Sequence, residues 1–305
     1  MRARAALYGV LVVLALAAPF LGLYPVFLMK LMCFAMFACA FNLLLGYTKM
    51  LSFGHAAYFG SSAYVTGWLV TVHGWGTVPA ILAGVAAAML LGLGVGAIAV
   101  RRQGIYFAMI TLALSQLVFF VCLQAQFTGG ENGLQGIPRG SALGLIGLGS
   151  DRTMYYFVLA AFVAVYLLIR RIVHSPFGQV LAAIRANEPR AISLGYEVDR
   201  YKLLAFVLSA SLAGLAGSLK ALVLGFVTLS DVSQGTSGEV ILMTLLGGSG
   251  TLFGPVAGAV TVVTLQEYLS DLVGPWVSVI VGAIFVGCVM AFRRGLVGEI
   301  QGRFS

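Results

Sequence analysis

The sequence predicts an all-α integral membrane protein, a polytopic helical bundle of about ten (eight to ten) transmembrane segments. Three observations predict it. Charged residues make up 9% of the 305-residue chain and hydrophobic residues 60%, against roughly 25% and 45–50% in soluble domains. The mean hydropathy is +1.01. The charges, 18 basic against 10 acidic, gather in short clusters between long uncharged runs. So few charges cannot coat a water-facing surface, which excludes ordinary soluble enzymes, nucleic-acid-binding domains and disordered linkers.

The hydrophobic segments fall at 5–23, 26–46, 52–72, 78–100, 104–126, 154–170, 201–227, 239–250, 254–270 and 275–292. The first follows Arg2 and Arg4, and Ala15-Leu16-Ala17 has the small-residue look of a signal-peptidase site. Its apolar character nonetheless runs past Pro19 to Leu23, close to the ~20 residues a span requires. An uncleaved first helix is therefore expected. The segments 239–250 and 254–270 are short for full spans, and read as tilted, half-buried or re-entrant.

Charge placement orients the draft. With the N-terminus inside, the inner segments hold Arg2, Arg4, Lys49, Arg101, Arg102, Arg170, Arg171, Arg185, Arg190, Arg200, Lys202, Arg293, Arg294 and Arg303. Only Arg139 and Arg152 fall in outer loops, while Lys30 and Lys220 lie within spans. That asymmetry obeys the positive-inside rule and brings both termini to the cytoplasmic side. The chain reads as a single transmembrane domain over 1–305, with an external loop at 127–153 and an internal loop at 171–200.

The internal loop carries structure of its own. Gly178 to Leu194 reads as helical, with Val180, Ile184 and Ala191 as an apolar stripe and Gly195 as its stop. Pro189 interrupts that pattern, so a kink or two short pieces are expected. Such a segment, tied to two spans, suits docking of another subunit. The 39 glycines are patterned, as in Gly92, Gly94 and Gly96, in Gly214 and Gly217, and in Gly254-x-x-x-Gly258. Small residues let helices approach where lipid supplies no hydrophobic drive. Two clusters add polar groups at depth: Asn42 to Tyr58, and Thr244 to Pro255. Both read Leu-Leu-Gly, a small polar stretch, then Phe-Gly, which hints at an internal repeat.

Chemistry is scarce. There is no Gly-x-x-x-x-Gly-Lys-Ser/Thr phosphate loop, no His-Glu-x-x-His and no Gly-x-Ser-x-Gly. Cys33, Cys39, Cys122 and Cys288 sit in apolar stretches without metal spacing. Glu239 and Glu267 lie near span ends, and Asp231 and Asp271 in outer loops, so a buried proton relay is not evident. An ion-coupled secondary transporter is thereby disfavoured, and a passage driven by another subunit is favoured.

Five stretches taken together resemble the LivM-type permeases, the membrane subunits of branched-chain amino acid ABC importers. They are Asn42–Tyr58, Thr128–Leu134, Ser175–Gly178 with Ala182–Glu188, Tyr201–Phe206 and Gly247–Pro255. The resemblance implies a bacterial inner-membrane subunit of the ABC importer permease type, not itself an enzyme. It also implies a second LivH-like permease, two ATPase subunits that bind ATP and magnesium, and a periplasmic amino-acid-binding protein. No cofactor or metal is expected in this chain, and no nucleic-acid partner. A urea or short-chain amide importer is the alternative within the same architecture.

The 171–200 loop then corresponds to the coupling segment, where the family carries Glu-Ala-Ala followed by a glycine. Here Glu188 is followed by Pro189-Arg190-Ala191, and Gly195 comes later, a departure in spacing. Arg185, Asn187, Glu188, Arg190 and Gly195 are the expected ATPase-coupling residues. Asn42, Ser52, His55, Tyr58, Thr244 and Ser249 are the expected substrate-pathway residues, with helix capping and packing as the competing roles. Glu131 and Asn132 are expected to touch the binding protein. Lys220 departs from an otherwise uncharged place and is expected to snorkel outward or to meet an acid on the second permease.

Overall fold

The fold is taken from a computed structural model, which describes residues 19, 24–142, 146–291, 295 and 297. The expected first segment, 5–23, thus lies outside the described residues except for Pro19, as do Arg2, Arg4, Arg293, Arg294 and Arg303. Every later segment has its helix. The chain runs α1 (Pro25–Thr48), α2 (His55–His73), α3 (Thr77–Ala99), α4 (Ile105–Gln124), α5 (Asp151–Val173), α6 (Pro176–Ala186), α7 (Glu188–Ser193), α8 (Val198–Leu224), α9 (Gln234–Gly247), α10 (Gly254–Val273) and α11 (Val277–Ala291).

Among the described residues, α1, α3, α4, α5 and α8 are the five helices long and apolar enough to cross a membrane. The chain is a multi-pass membrane protein. At 14 residues, α9 reaches about 21 Å, short of the roughly 30 Å hydrocarbon core. The short α9 answers to the expectation of an incomplete span. The count of full crossings is accordingly smaller among the described helices than the ten segments drawn from hydropathy.

Helix α8 is the centre of the bundle and packs on α1, α2 and α3. Two of the patterned glycines explain the fit. A β-carbon at Gly217 would run into the backbone of Phe59, and one at Gly92 would stand 2.6 Å from Cβ of Ala210. Gly94, by contrast, faces open space, so the triplet 92, 94, 96 is not uniformly a packing stripe. Hydroxyls join the same helices: Ser62 Oγ and Ser218 Oγ lie 2.6 Å apart, and Thr66 Oγ1 donates to Ser218 Oγ at 2.8 Å. Inside a bilayer such groups must find partners within the protein. Helices α9 and α10 form a hairpin laid against α1, whose other flank carries α5.

The external loop is pinned rather than loose. Strand β1 (Leu134–Gln135) pairs antiparallel with β4 (Phe226–Val227), and β2 (Ser141–Ala142) with β3 (Ile146–Gly147). Buried Thr128 donates to the Cys122 carbonyl at 2.5 Å, Thr77 donates to the Arg139 carbonyl at 2.7 Å, and Arg139 pairs with Asp151. One expectation is corrected here. Lys220 neither snorkels nor waits for a partner subunit: its ammonium lies 2.6 Å from Asp231 Oδ2, with both residues buried. Asp231 lies in the connection between α8 and α9, and is buried because the 3-10 turn Leu229–Val232 folds back on α2. Lys30, the other cation within a span, pairs with Glu267 at 2.6 Å.

Candidate functional site: two helix breaks and a short helix pair

The two Leu-Leu-Gly clusters fold alike. Helix α1 ends at Thr48 and α2 starts at His55 after a non-helical link; α9 ends at Gly247 and α10 starts at Gly254 after another. The first bends at Lys49, φ 59°, and the second at Gly248 and Gly250, φ 114° and 83°. The breaks pack on each other. Asn42 Nδ2 donates to the Thr251 carbonyl at 2.8 Å, and the Gly250 N–H donates to Asn42 Oδ1 at 2.9 Å. Gly46 permits the approach, since a β-carbon there would stand 2.6 Å from the Gly250 nitrogen. Gly250 itself has φ +83°, a left-handed turn that a side chain disfavours.

The short helices complete this joint. Arg185, near the end of α6, donates to the Gly46 carbonyl, and its guanidinium would lie 2.7 Å from a β-carbon placed on Gly250. Three regions far apart in sequence therefore meet at one node: Asn42 and Gly46, Arg185, and Gly250 with Thr251. Asn42 belonged to the expected pathway set and Arg185 to the coupling set. Their visible bonds lie inside the chain.

The 174–197 region is two helices rather than one, with a proline in the first turn of each, where its missing N–H costs nothing. Ser175 caps α6 by accepting from Gly178 N at 3.4 Å, and Asn187 caps α7 by accepting from Arg190 N at 3.1 Å. Glu188 is fixed from two sides, by Lys202 Nζ at 2.6 Å and Gln103 Nε2 at 2.8 Å. Ile184 and Ala191 bury together with Val198, and Val180 packs beside them. Gly195 has φ +87° and ends the unit. Arg190 is exposed. So are Ile192 at 58% and Leu194 at 69%, two apolar residues that sequence reasoning passed over because they look like ordinary members of a helical stripe.

The remaining expected pathway residues are scattered through the packing. His55 is the first residue of α2, enclosed by the rings of Phe37, Phe41, Tyr58 and Phe206. Its Nε2 lies 2.9 Å from Ser209 Oγ, which donates its one proton to the Ala40 carbonyl at 2.5 Å. Nε2 must then be the protonated nitrogen, leaving Nδ1 without a partner among the described residues. Thr244 Oγ1 lies 2.8 Å from the Val240 carbonyl and 3.4 Å from the Ala38 carbonyl of α1, while Ser52 accepts locally from Gly54 N at 3.4 Å. Tyr58 is buried, and Ser249 is exposed in the second break. Glu131 and Asn132 are exposed in the 3-10 turn Gly130–Asn132, next to the anchored Thr128.

Cys33, Cys39 and Cys122 are free and buried. Among the described residues no group of three or more His, Cys, Asp or Glu could hold a metal. The geometry joins the short helix pair α6–α7 to the contact between the two helix breaks.

The family described as "Branched-chain amino acid transport system / permease component" matches residues 25–289. The LivM permease protein of the high-affinity branched-chain amino acid transport system of Escherichia coli K12 is 31% identical over 291 residues, spanning 86% of this chain and 67% of that one. A probable branched-chain amino acid transport permease LivM of Methanocaldococcus jannaschii is 27% identical over 60% of this chain and 54% of its own length. The autoinducer 2 import system permease LsrC of Klebsiella pneumoniae is 33% identical over 46% of this chain and 42% of its own. The chain belongs to the branched-chain amino acid transport permease family and is one component of a multi-subunit ABC transport system.

Proposed function

We propose that this chain is the permease subunit of an ATP-driven importer of leucine, isoleucine and valine across a bacterial inner membrane. In this reading it pairs with a second, LivH-like permease and with two ATPase subunits below, and a periplasmic amino-acid-binding protein loads it from above. The N- and C-termini face the cytoplasm, ATP and magnesium are held by the ATPases, and this chain binds no cofactor. Glu131 and Asn132 are proposed to meet the binding protein.

One observation carries the coupling role. The α6–α7 unit is rigidly attached to the bundle through Arg185, Glu188 and Ala191, yet turns Ile192 and Leu194 outward beside Arg190. An apolar tip rimmed by charge is what a docking knob requires. A push on that tip reaches Gly46 and the second break through Arg185, so ATPase motion is converted into movement of the α1–α2 and α9–α10 links. Asn187 and Gly195 set the two ends of the knob. Asn42, Ser52, His55, Tyr58, Thr244 and Ser249 are proposed to shape the passage at those links.

The test is uptake of radiolabelled leucine into proteoliposomes holding the complete complex, with ATP inside the compartment that bears α6–α7. Leu194→Asp should abolish co-purification of the ATPase and uptake while leaving the chain in the membrane. Uptake without nucleotide, or normal assembly of the variant, would refute the reading. The partial match to an autoinducer 2 permease makes a different small polar solute the second reading. Urea and short-chain amides stand with it, and a competition panel on the binding protein distinguishes them.

A further inference from the structure

A second basic feature opens beside the helix pair, with Ile184, Arg185 and the Lys202-paired Glu188 in its walls. A cavity of about 610 Å³ opens between the link after α1, the turn before α4, and α6–α7; Lys49, Arg102, Phe53, Ile105, Arg185 and Lys202 are among its walls. Two of these cations are satisfied, Lys202 by Glu188 at 2.6 Å and Arg185 by the Gly46 carbonyl. Lys49 and Arg102 have no side-chain partner among the described residues.

Three more observations converge on the same place. Helix α4 points its N-terminus at the cavity, and no side chain caps it; its free amides and dipole attract an anion. Lys49 is the one non-glycine residue with positive φ among the described residues, at 59°. That backbone disfavours any side chain and would suit glycine, yet it carries an unpaired ammonium to the cavity wall. From the mouth, an exposed apolar stripe descends α4: Ile105 is 70% exposed, Met109 60%, Leu117 61% and Val121 54%. Each step of four residues drifts about 40° around the helix, so these residues form an oblique ridge that winds along α4 from the mouth.

We propose that this cavity binds the phosphate headgroup of an anionic phospholipid, with one acyl chain lying along the α4 stripe. A basic pocket between helices at a membrane surface suits such a headgroup. Free phosphate would leave the stripe without a role, and an acidic peptide would not need it. The bound lipid braces the first helix break against α6, whichever solute is carried.

The experiment titrates the delipidated full chain in detergent with phosphatidylglycerol, phosphatidylcholine or inorganic phosphate and reads occupancy by native mass spectrometry. Phosphatidylglycerol should bind about tenfold more tightly than phosphatidylcholine. Lys49→Gly and Arg102→Gln should each weaken it about fivefold, and together about 25-fold, with phosphatidylcholine unchanged. Lys49→Gly relieves its own backbone strain, so its melting midpoint should not fall and the loss cannot be read as misfolding. Equal binding of the two lipids would overturn the proposal, as would variants that keep full phosphatidylglycerol affinity. Inorganic phosphate that binds as tightly as the lipid and displaces it would assign the cavity to a soluble anion instead. Variants that lose a co-purifying subunit but retain the lipid preference would assign it to a protein.

Discussion

Replacing Gly46 with alanine should unseat the joint between the two helix breaks. The new β-carbon would stand 2.6 Å from the Gly250 nitrogen and 2.9 Å from its Cα, and closer still to Asn42 Oδ1. Because the neighbours are mainly backbone, the 248–251 turn must retreat. If it moves as a body, the cost is that of overpacking, about 1–3 kcal/mol. If it detaches, the two Asn42 bonds are lost at about 1 kcal/mol each, while the Arg185–Gly46 bond does not involve that turn. The expected loss is therefore about 2 kcal/mol, with about 3 as the ceiling. Gly94→Ala is the control, because nothing lies within 4 Å of its β-carbon. An exposed helix glycine replaced by alanine should gain roughly 0.5–1 kcal/mol. The assay is the melting midpoint in detergent, read by fluorescence-detected size exclusion for both variants and the parent. A Gly46→Ala protein that melts with the control would mean the breaks are not in tight contact, and Asn42 and Arg185 would be free for other duties.

Lys220→Met should cost about 3–5 kcal/mol by stranding buried Asp231, and Lys220→Met with Asp231→Leu should recover most of it. Lys30→Ala, at a pair whose side chains are 32% and 52% exposed, should cost at most about 1 kcal/mol; equal losses at both sites, in the same melting assay, would contradict the burial difference. Ser209→Ala should cost about 1–3 kcal/mol, because the His55 Nε2–H then has no acceptor within its aromatic cage. A melting midpoint equal to the parent's would mean that the Ser209 hydroxyl does not satisfy His55. Gly195→Ala meets no neighbour but must hold φ +87°, which costs about 1–2 kcal/mol locally. Membrane abundance should stay near the parent's while ATP-dependent uptake falls, as measured side by side on vesicles.

Much of this molecule was legible in one dimension. The membrane class followed from charge scarcity, the approximate helix positions from hydropathy, and the two pieces of the 174–197 region from Pro189, with Gly195 as their stop. The likeness of the two glycine clusters was visible too, and both fold as helix, break, helix. What could not be read was who meets whom. Lys220 and Asp231 are near in sequence, but only the inward fold of Leu229–Val232 buries the acid against the cation. Arg185 looked like a surface group for a partner because its reach to Gly46 spans 139 positions. His55 gave no hint of Ser209, since the partner is an unremarkable serine in a helix 154 residues away.

The sequence alone determined the solvent and the segment list, because both depend on transfer free energies that add residue by residue and need no knowledge of neighbours. The tertiary structure alone decided which polar groups are joints and which face outward. In a medium without water each donor must find its acceptor inside the protein, and that choice belongs to the packing of the whole bundle rather than to any local pattern.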